Sequence, residues 1–199
     1  MIERTLVLLK PDTVQRNLVG EIISRFEKVG MKIVGMKMIH ADGEIAGNHY
    51  ADNEEWLNSV GSNTKASYVK RGIPLEQMER GPPLDKSDTE IGQWVRQKLI
   101  RHLGTAPLIA IALEGHNAVL HIRKMVGSTE PASSQPGTIR GDYSFDTYKL
   151  ADNKNRPIQN LVHASGSKEE AERELKIWFK KEELHTWKRL DEDILYKDF

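Results

Sequence analysis

The chain has 199 residues, 38 % hydrophobic and 29 % charged, with 29 basic against 29 acidic side chains. That length fits one domain with its own core, and a formal net charge of zero argues against a general nucleic-acid binder, which needs a basic excess. No cysteine is present, which excludes disulfide scaffolds, thiolate zinc sites and a cysteine nucleophile and fits a reducing compartment.

The start, Met1-Ile2-Glu3-Arg4, lacks the basic and then apolar build of a signal peptide. Apolar runs such as Leu108 to Leu113 fall far short of the ~20 residues that span a bilayer. A cytoplasmic protein is expected.

Thr5 to Leu9 is a short apolar run closed by Lys10-Pro11-Asp12, which predicts a buried strand. Leu18, Val19, Ile22, Ile23, Phe26 and Val29 fall at helical spacing, and Gly30 ends that helix. Met31 to Ile39 reads as a strand, with Met31, Met36 and Met38 as core filler, and a short helix is expected around Glu44 to Tyr50. Ala51 to Ser87, rich in glycine, proline and polar residues, reads as a long surface excursion, helical only near 53–60. Ile91 to His102 is helical, Leu108 to Leu113 is a central strand and Ala118 to Met125 a short helix. Ser128 to Asp142 reads as loop, and Asp146 to Pro157 as a second polar excursion. Ile158 to Val162 reads as the last strand. Ser167-x-x-Glu170 is a capping-box pattern opening a helix through Ala171, Leu175 and Trp178. An extended tail is expected from Glu182 to Phe199. The order predicts an α+β, ferredoxin-like βαββαβ antiparallel sheet with helices on its faces, in a single domain over 1–199 with an insert about 53–93.

Three segments carry chemistry. Lys10 puts a cation at a strand end. Arg123, Thr129 and Arg140 bracket the Gly/Pro/Ser loop, and Asn160-Leu-Val-His163-Ala-Ser165-Gly-Ser167 runs from a strand into a helix start. Guanidinium forks, a lysine and helix N–H donors together suit a polyphosphate. A neutral His163 could attack a phosphoryl group if its other nitrogen is held, with Ser165 and Glu174 the nearest polar candidates. From pattern alone, His163 could equally satisfy a backbone carbonyl, and Glu174 could be an ordinary exposed helix residue.

Further segments turn these separate hints into a pattern. They are Glu3-Arg-Thr-Leu-Val-Leu-Leu-Lys-Pro-Asp12, Gly20-Glu-Ile-Ile-Ser-Arg-Phe26, His49-Tyr50, Glu114-Gly-His-Asn-Ala-Val119, Gly127-Ser-Thr-Glu-Pro131 and Pro136-Gly-Thr-Ile-Arg-Gly-Asp142. In this order, with Asn160-x-x-His163-x-Ser165 and Glu174, they resemble the nucleoside diphosphate kinase family over nearly the whole chain apart from two inserts, about 53–93 and 146–157. The resemblance implies transfer of the terminal phosphate of ATP to nucleoside diphosphates by a ping-pong route through a phosphohistidine on His163. It implies that Lys10 and Asn160 contact the sugar, Lys10 also reaching phosphate. Arg123, Thr129 and Arg140 would hold the phosphates, Tyr50 would lie beside the transferred group, and Ser165 and Glu174 would position the histidine. Mg2+ is expected to travel with the nucleotide, and a homo-oligomer, tetramer or hexamer built from dimers, is expected.

The usual run after the histidine is His-Gly-Ser-Asp; here it reads His163-Ala-Ser-Gly166. Activity is expected to survive, because His163, Ser165 and Glu174 remain. Val95 aligns with the aromatic that usually stacks on the base, and Trp94, Tyr68 or Trp56 are candidate replacements. Two rival readings are a non-catalytic nucleotide-binding relative and a module binding single-stranded nucleic acid. The combined motifs speak against the first, and zero net charge against the second.

Overall fold

The computed structural model describes residues 2–72 and 81–197. Its elements, in chain order, are β1 (Ile2–Leu9), α1 (Pro11–Gln15), α2 (Val19–Lys28), β2 (Lys32–Ile39), α3 (Gly43–His49), α4 (Glu54–Lys70) and α5 (Asp88–Leu103). There follow β3 (Leu108–His116), α6 (Ala118–Val126), α7 (Ile139–Tyr143), α8 (Tyr148–Asn153), β4 (Val162–Ala164), α9 (Lys168–Trp178) and α10 (Glu192–Leu195).

The four strands form one antiparallel sheet in the order β2-β3-β1-β4, the ferredoxin-like arrangement expected from the element order. Successive strand side chains point to opposite faces, and helices cover both faces, so the Leu6–Leu9 half of β1 is apolar and buried on both sides. Val7 and Leu9 pack with Ile22 and Phe26 of α2 and Ile122 of α6. Leu6 and Leu8 pack with Ala46 of α3, Leu103 of α5 and Leu175 and Trp178 of α9.

The structure departs from the sequence expectations at several places. The long excursion is mostly helix: α4 runs 17 residues, capped by the Asn53 side chain on the Trp56 N–H at 2.8 Å. Its polarity hid it, since its apolar residues form no sustained stripe. Gly61 and Gly92 let α4 and α5 cross, for a Cβ on either would stand 1.9 Å from Asp88 O or 2.1 Å from Leu57 O. Expectations for 73–80 lie outside the described residues. The second excursion holds α8, and the Ser/Gly/Pro loop holds α7. The tail carries a short 3-10 turn (Lys181–Glu183) and α10, and donates from the His185 N–H to Val34 O at 2.7 Å. Met31 is core, but Met36 and Met38 are 53 % and 60 % exposed on the edge strand β2, so they are not core filler.

The last strand is also displaced. It begins at Val162, because Leu161 turns the chain with φ +66°, a left-handed conformation closed to an extended strand. Val162 N–H donates to Asn160 O at 2.7 Å across Leu161, the bond of a γ-turn. His163 therefore lies within β4 and not in the turn after it. Among the described residues, no helix is long and apolar enough to cross a membrane.

Candidate active site

Register sets the site. In the antiparallel pairing, Val162 faces Leu9 and His163 faces Leu8. Paired residues share a face, so Val162 enters the α2/α6 core while His163 points to the α9 side. A one-residue slip would exchange them.

The strained turn is over-determined by β1 and α1. Leu161 O accepts from the Lys10 N–H at 2.8 Å and from Thr13 Oγ1 at 2.6 Å. The Leu161 N–H donates to Asp12 Oδ2 at 2.9 Å. Pro11 at the first position of α1 ends the strand and brings Asp12 and Thr13 under the turn. Local strain persists where surroundings fix it this firmly.

On the α9 side, the buried Glu174 carboxylate has both oxygens 3.0 Å from His163 Nε2. Ser165 Oγ donates to Glu174 Oε2 at 2.7 Å. Ser165 thus reaches the histidine only through the carboxylate. An ionised carboxylate accepts, so the network assigns the proton to Nε2 and leaves the lone pair on Nδ1. Burial foremost, then the charges of Lys10, Arg140 and Arg123, holds the His163 imidazolium well below its ordinary range; only Glu170 opposes them among the leading causes. The ring is neutral at neutral pH. Burial raises the Glu174 pKa, partly offset by His49 and Ser165.

His49 was not singled out as a site residue from sequence beyond its place beside Tyr50. Its ring stands edge-on to His163, centroids 4.4 Å apart, and its Nδ1 accepts from Trp178 Nε1 at 3.2 Å. Nothing in its spacing marked it; its signal was only the His-Tyr pair at a helix end. The ligand atoms of His49, His163 and Glu174 all lie within 4.8 Å of one another. Two nitrogens and one carboxylate, already bonded to Trp178 and Ser165, do not make the oxygen shell that Mg2+ demands.

His163 opens onto a cavity of about 790 Å³. Lys10, Tyr50, Arg123, Thr129, Arg140 and Asn160 line it too. Lys10 Nζ donates to Asn160 Oδ1 at 2.7 Å, and Asn160 Nδ2 donates to Thr129 O at 2.8 Å. Burial, then Arg140, lowers the Lys10 pKa to about 8. Burial pushes the Tyr50 phenol far up, so it stays a neutral donor.

Arg140 is tied into backbone more than its sequence context suggests. Its Nε donates to Asn160 O at 3.0 Å, Nη1 to Gly127 O and Ser128 O at 3.0 Å each, and Nη2 to Val162 O at 2.5 Å. Of five guanidinium N–H groups, one is left for a ligand. Arg123, by contrast, is an exposed side chain at the cavity. Tyr68 from α4 and Tyr148 and Asp152 from α8, in the two inserts, also line it, together with Trp94 and Val95 of α5. Trp56 is not among the lining residues. Ala164 is in β4 without positive φ, so it needs no glycine freedom.

The family model described as nucleoside diphosphate kinase matches residues 3–59 and 90–184, leaving out most of α4. The chain belongs to the nucleoside diphosphate kinase family. It is 46 % identical over 184 residues to the nucleoside diphosphate kinase of Pyrobaculum aerophilum, covering 92 % of this chain and 98 % of that one. It is 41 % identical to the enzyme of Pyrococcus furiosus, covering 94 % and 88 %. The crystal structure of the Pyrobaculum aerophilum kinase superposes with a TM-score of 0.86 at 44 % identity, covering 94 % of this chain and all of that one. A Borrelia burgdorferi nucleoside-diphosphate kinase, solved as a transition-state mimic with bound vanadate and ADP, gives 0.73 at 33 % identity over 97 % and 96 %. Phosphotransfer between nucleotides is the activity these relatives define, and this chain is a kinase of that kind.

Proposed function

We propose that His163 is the residue that carries the phosphoryl group in a ping-pong transfer from ATP to nucleoside diphosphates. The observation that carries this reading is the Glu174 carboxylate at 3.0 Å from His163 Nε2, at the floor of a cavity lined by Lys10, Arg123 and Arg140. The neutral Nδ1 lone pair attacks the terminal phosphorus. The bond from phosphorus to its bridging oxygen breaks, and the diphosphate leaves with the electron pair. The ring keeps its Nε2–H and becomes positive, a charge that Glu174 favours. Attack by a second diphosphate's terminal oxygen reverses the step and restores the neutral imidazole. Such a transfer needs in-line placement and charge neutralisation more than other chemistry.

In this reading Arg123 and the remaining N–H of Arg140 hold phosphates, with Thr129 beside them. Lys10 and Asn160 bond the sugar, and Tyr50 donates near the transferred group. Mg2+ enters as part of the nucleotide substrate, since the residues offer it no oxygen cage. One domain, a cytoplasmic setting and a homo-oligomer complete the proposal; Met36 and Met38, exposed on β2 beyond the residues the tail covers, offer an apolar surface that suits a second copy.

Incubation with a triphosphate labelled on its terminal phosphate should give an acid-labile, alkali-stable label on the wild type and none on His163→Ala. Label persisting in that variant would overturn the assignment of the nucleophile.

A further inference from the structure

Three residues after the nucleophile, Gly166 lacks a side chain, and the space is filled by another residue's carboxylate. A Cβ placed on Gly166 would stand 2.5 Å from Glu170 Oε2 and 3.6 Å from Arg123 Nη1. Glu170 Oε2 accepts from the Gly166 N–H at 2.6 Å, while Ser167 Oγ accepts from the Glu170 N–H at 3.1 Å. In an ordinary capping box the glutamate returns to the capping residue's own N–H. Here it reaches one residue further back, onto the turn that joins His163 to α9. Glu170 also lines the nucleotide cavity with His163 and Arg123. Position 166 is where the sequence departs from its resemblance by lacking a carboxylate.

We propose that Glu170 is a positioning residue for the nucleophile, whose carboxylate takes the side-chain space at Gly166, fixes the turn after His163 and sets a negative charge beside it. The proposal rests on His163 being the phosphoryl carrier. Around that ring Lys10, Arg123 and Arg140 are cationic, His49 is neutral, and Glu174 and Glu170 are the carboxylates. The imidazole gains positive charge as the phosphorus–nitrogen bond forms. Fixed charge of opposite sign, aimed where charge develops, speeds such a step. The Gly166 N–H bond meanwhile limits how far residues 164–166 swing, and with them the ring.

Single-turnover labelling from a labelled triphosphate, read across pH, tests this on the full chain. Wild-type labelling lost in His163→Ala checks the parent reading in the same experiment, so the two can fail separately. Glu170→Gln keeps an acceptor but loses the charge. It should slow phosphorylation about threefold to tenfold, leave the nucleotide KM nearly unmoved, and shift the acid limb of the pH profile to lower pH. Glu170→Ala should be slower still. Gly166→Asp alone crowds two carboxylates and should also be slow, whereas Gly166→Asp combined with Glu170→Ala should recover most of the loss. Wild-type rate and acid limb in Glu170→Gln, or a double variant no faster than Glu170→Ala, would overturn the proposal. A melting-temperature loss without any change in rate or acid limb would reduce Glu170 to a helix cap and overturn it too.

Discussion

Lys10 ends β1 with its ammonium buried against Asn160, and its pKa falls to about 8 from an ordinary 10.5. Between those values the unfolded chain binds a proton that the folded chain does not. Stability of the nucleotide-free protein therefore rises with pH across that window. In the proposed reading nucleotide binding runs the other way, because the Lys10 charge offered to the nucleotide is lost above pH 8. Urea midpoints compared with Lys10→Met should diverge in favour of the wild type from pH 8 to 10.5, while the wild-type KM for triphosphate climbs. A constant difference between the two proteins would contradict the buried ammonium. Glu174 acts on the neighbouring residue differently, by selecting a tautomer. Glu174→Gln offers one acceptor and one donor where two acceptors were, so the ring can turn or carry its proton on Nδ1. Carboxylates that fix an imidazole in this way are worth several powers of ten, and a loss of at least about 100-fold in phosphorylation rate is expected. Rapid-quench labelling reads it directly; a loss under threefold would mean that Glu174 does not hold the proton on Nε2.

Among the elements, β1, β2, β3, α2, α5, α6 and α9 were legible because each repeats apolar residues at a strand or helix period against a two-sided core. α4 was not, because its buried positions are sparse: Leu57, Gly61 and Tyr68. Helix crossing through glycine leaves no hydrophobic stripe to read. β4 was misplaced for another reason, since Leu161 is an apolar residue in a conformation that apolar residues rarely take. Only the contacts of Asp12 and Thr13 from the far end of the chain explain it. The same long-range character hid His49 and the backbone engagement of Arg140, whereas Lys10, Asn160 and His163 stood out by motif, and Glu170 stood out only as part of a helix cap. The glycine crossing makes its own prediction. Gly92→Ala pushes a methyl into the Leu57 carbonyl and should cost about 1–3 kcal/mol as overpacking, a drop of several degrees in melting temperature at this length. Calorimetry showing no shift would mean that α4 and α5 do not cross so closely.

Across the molecule, the two inserts are 50 or more residues apart in sequence yet meet over one cavity. Tyr68 of α4 donates to Asp152 of α8, Arg71 stacks 4.0 Å over the Tyr68 ring and 5.2 Å from the Tyr148 ring, and Lys98 of α5 bonds Asn155 O at 3.0 Å. In the proposed reading, the family core meets the phosphates and sugar with Lys10 after β1, Arg123 of α6 and Asn160 before β4. That reading implies a division of labour in which the core carries the transfer step and the inserts hold the remainder of the nucleotide. Weakening the join between inserts should then raise the nucleotide KM and leave the single-turnover rate at saturation nearly unchanged, the sign of lost uniform binding. Tyr68→Phe removes the donor and Asp152→Leu the acceptor, with little change in volume. Because they touch, their effects on KM should be non-additive, with a coupling of about 0.5–3 kcal/mol in a double-variant cycle. Additive effects, or a fall in the saturating rate with KM unmoved, would place the join in the chemical step or outside nucleotide binding altogether.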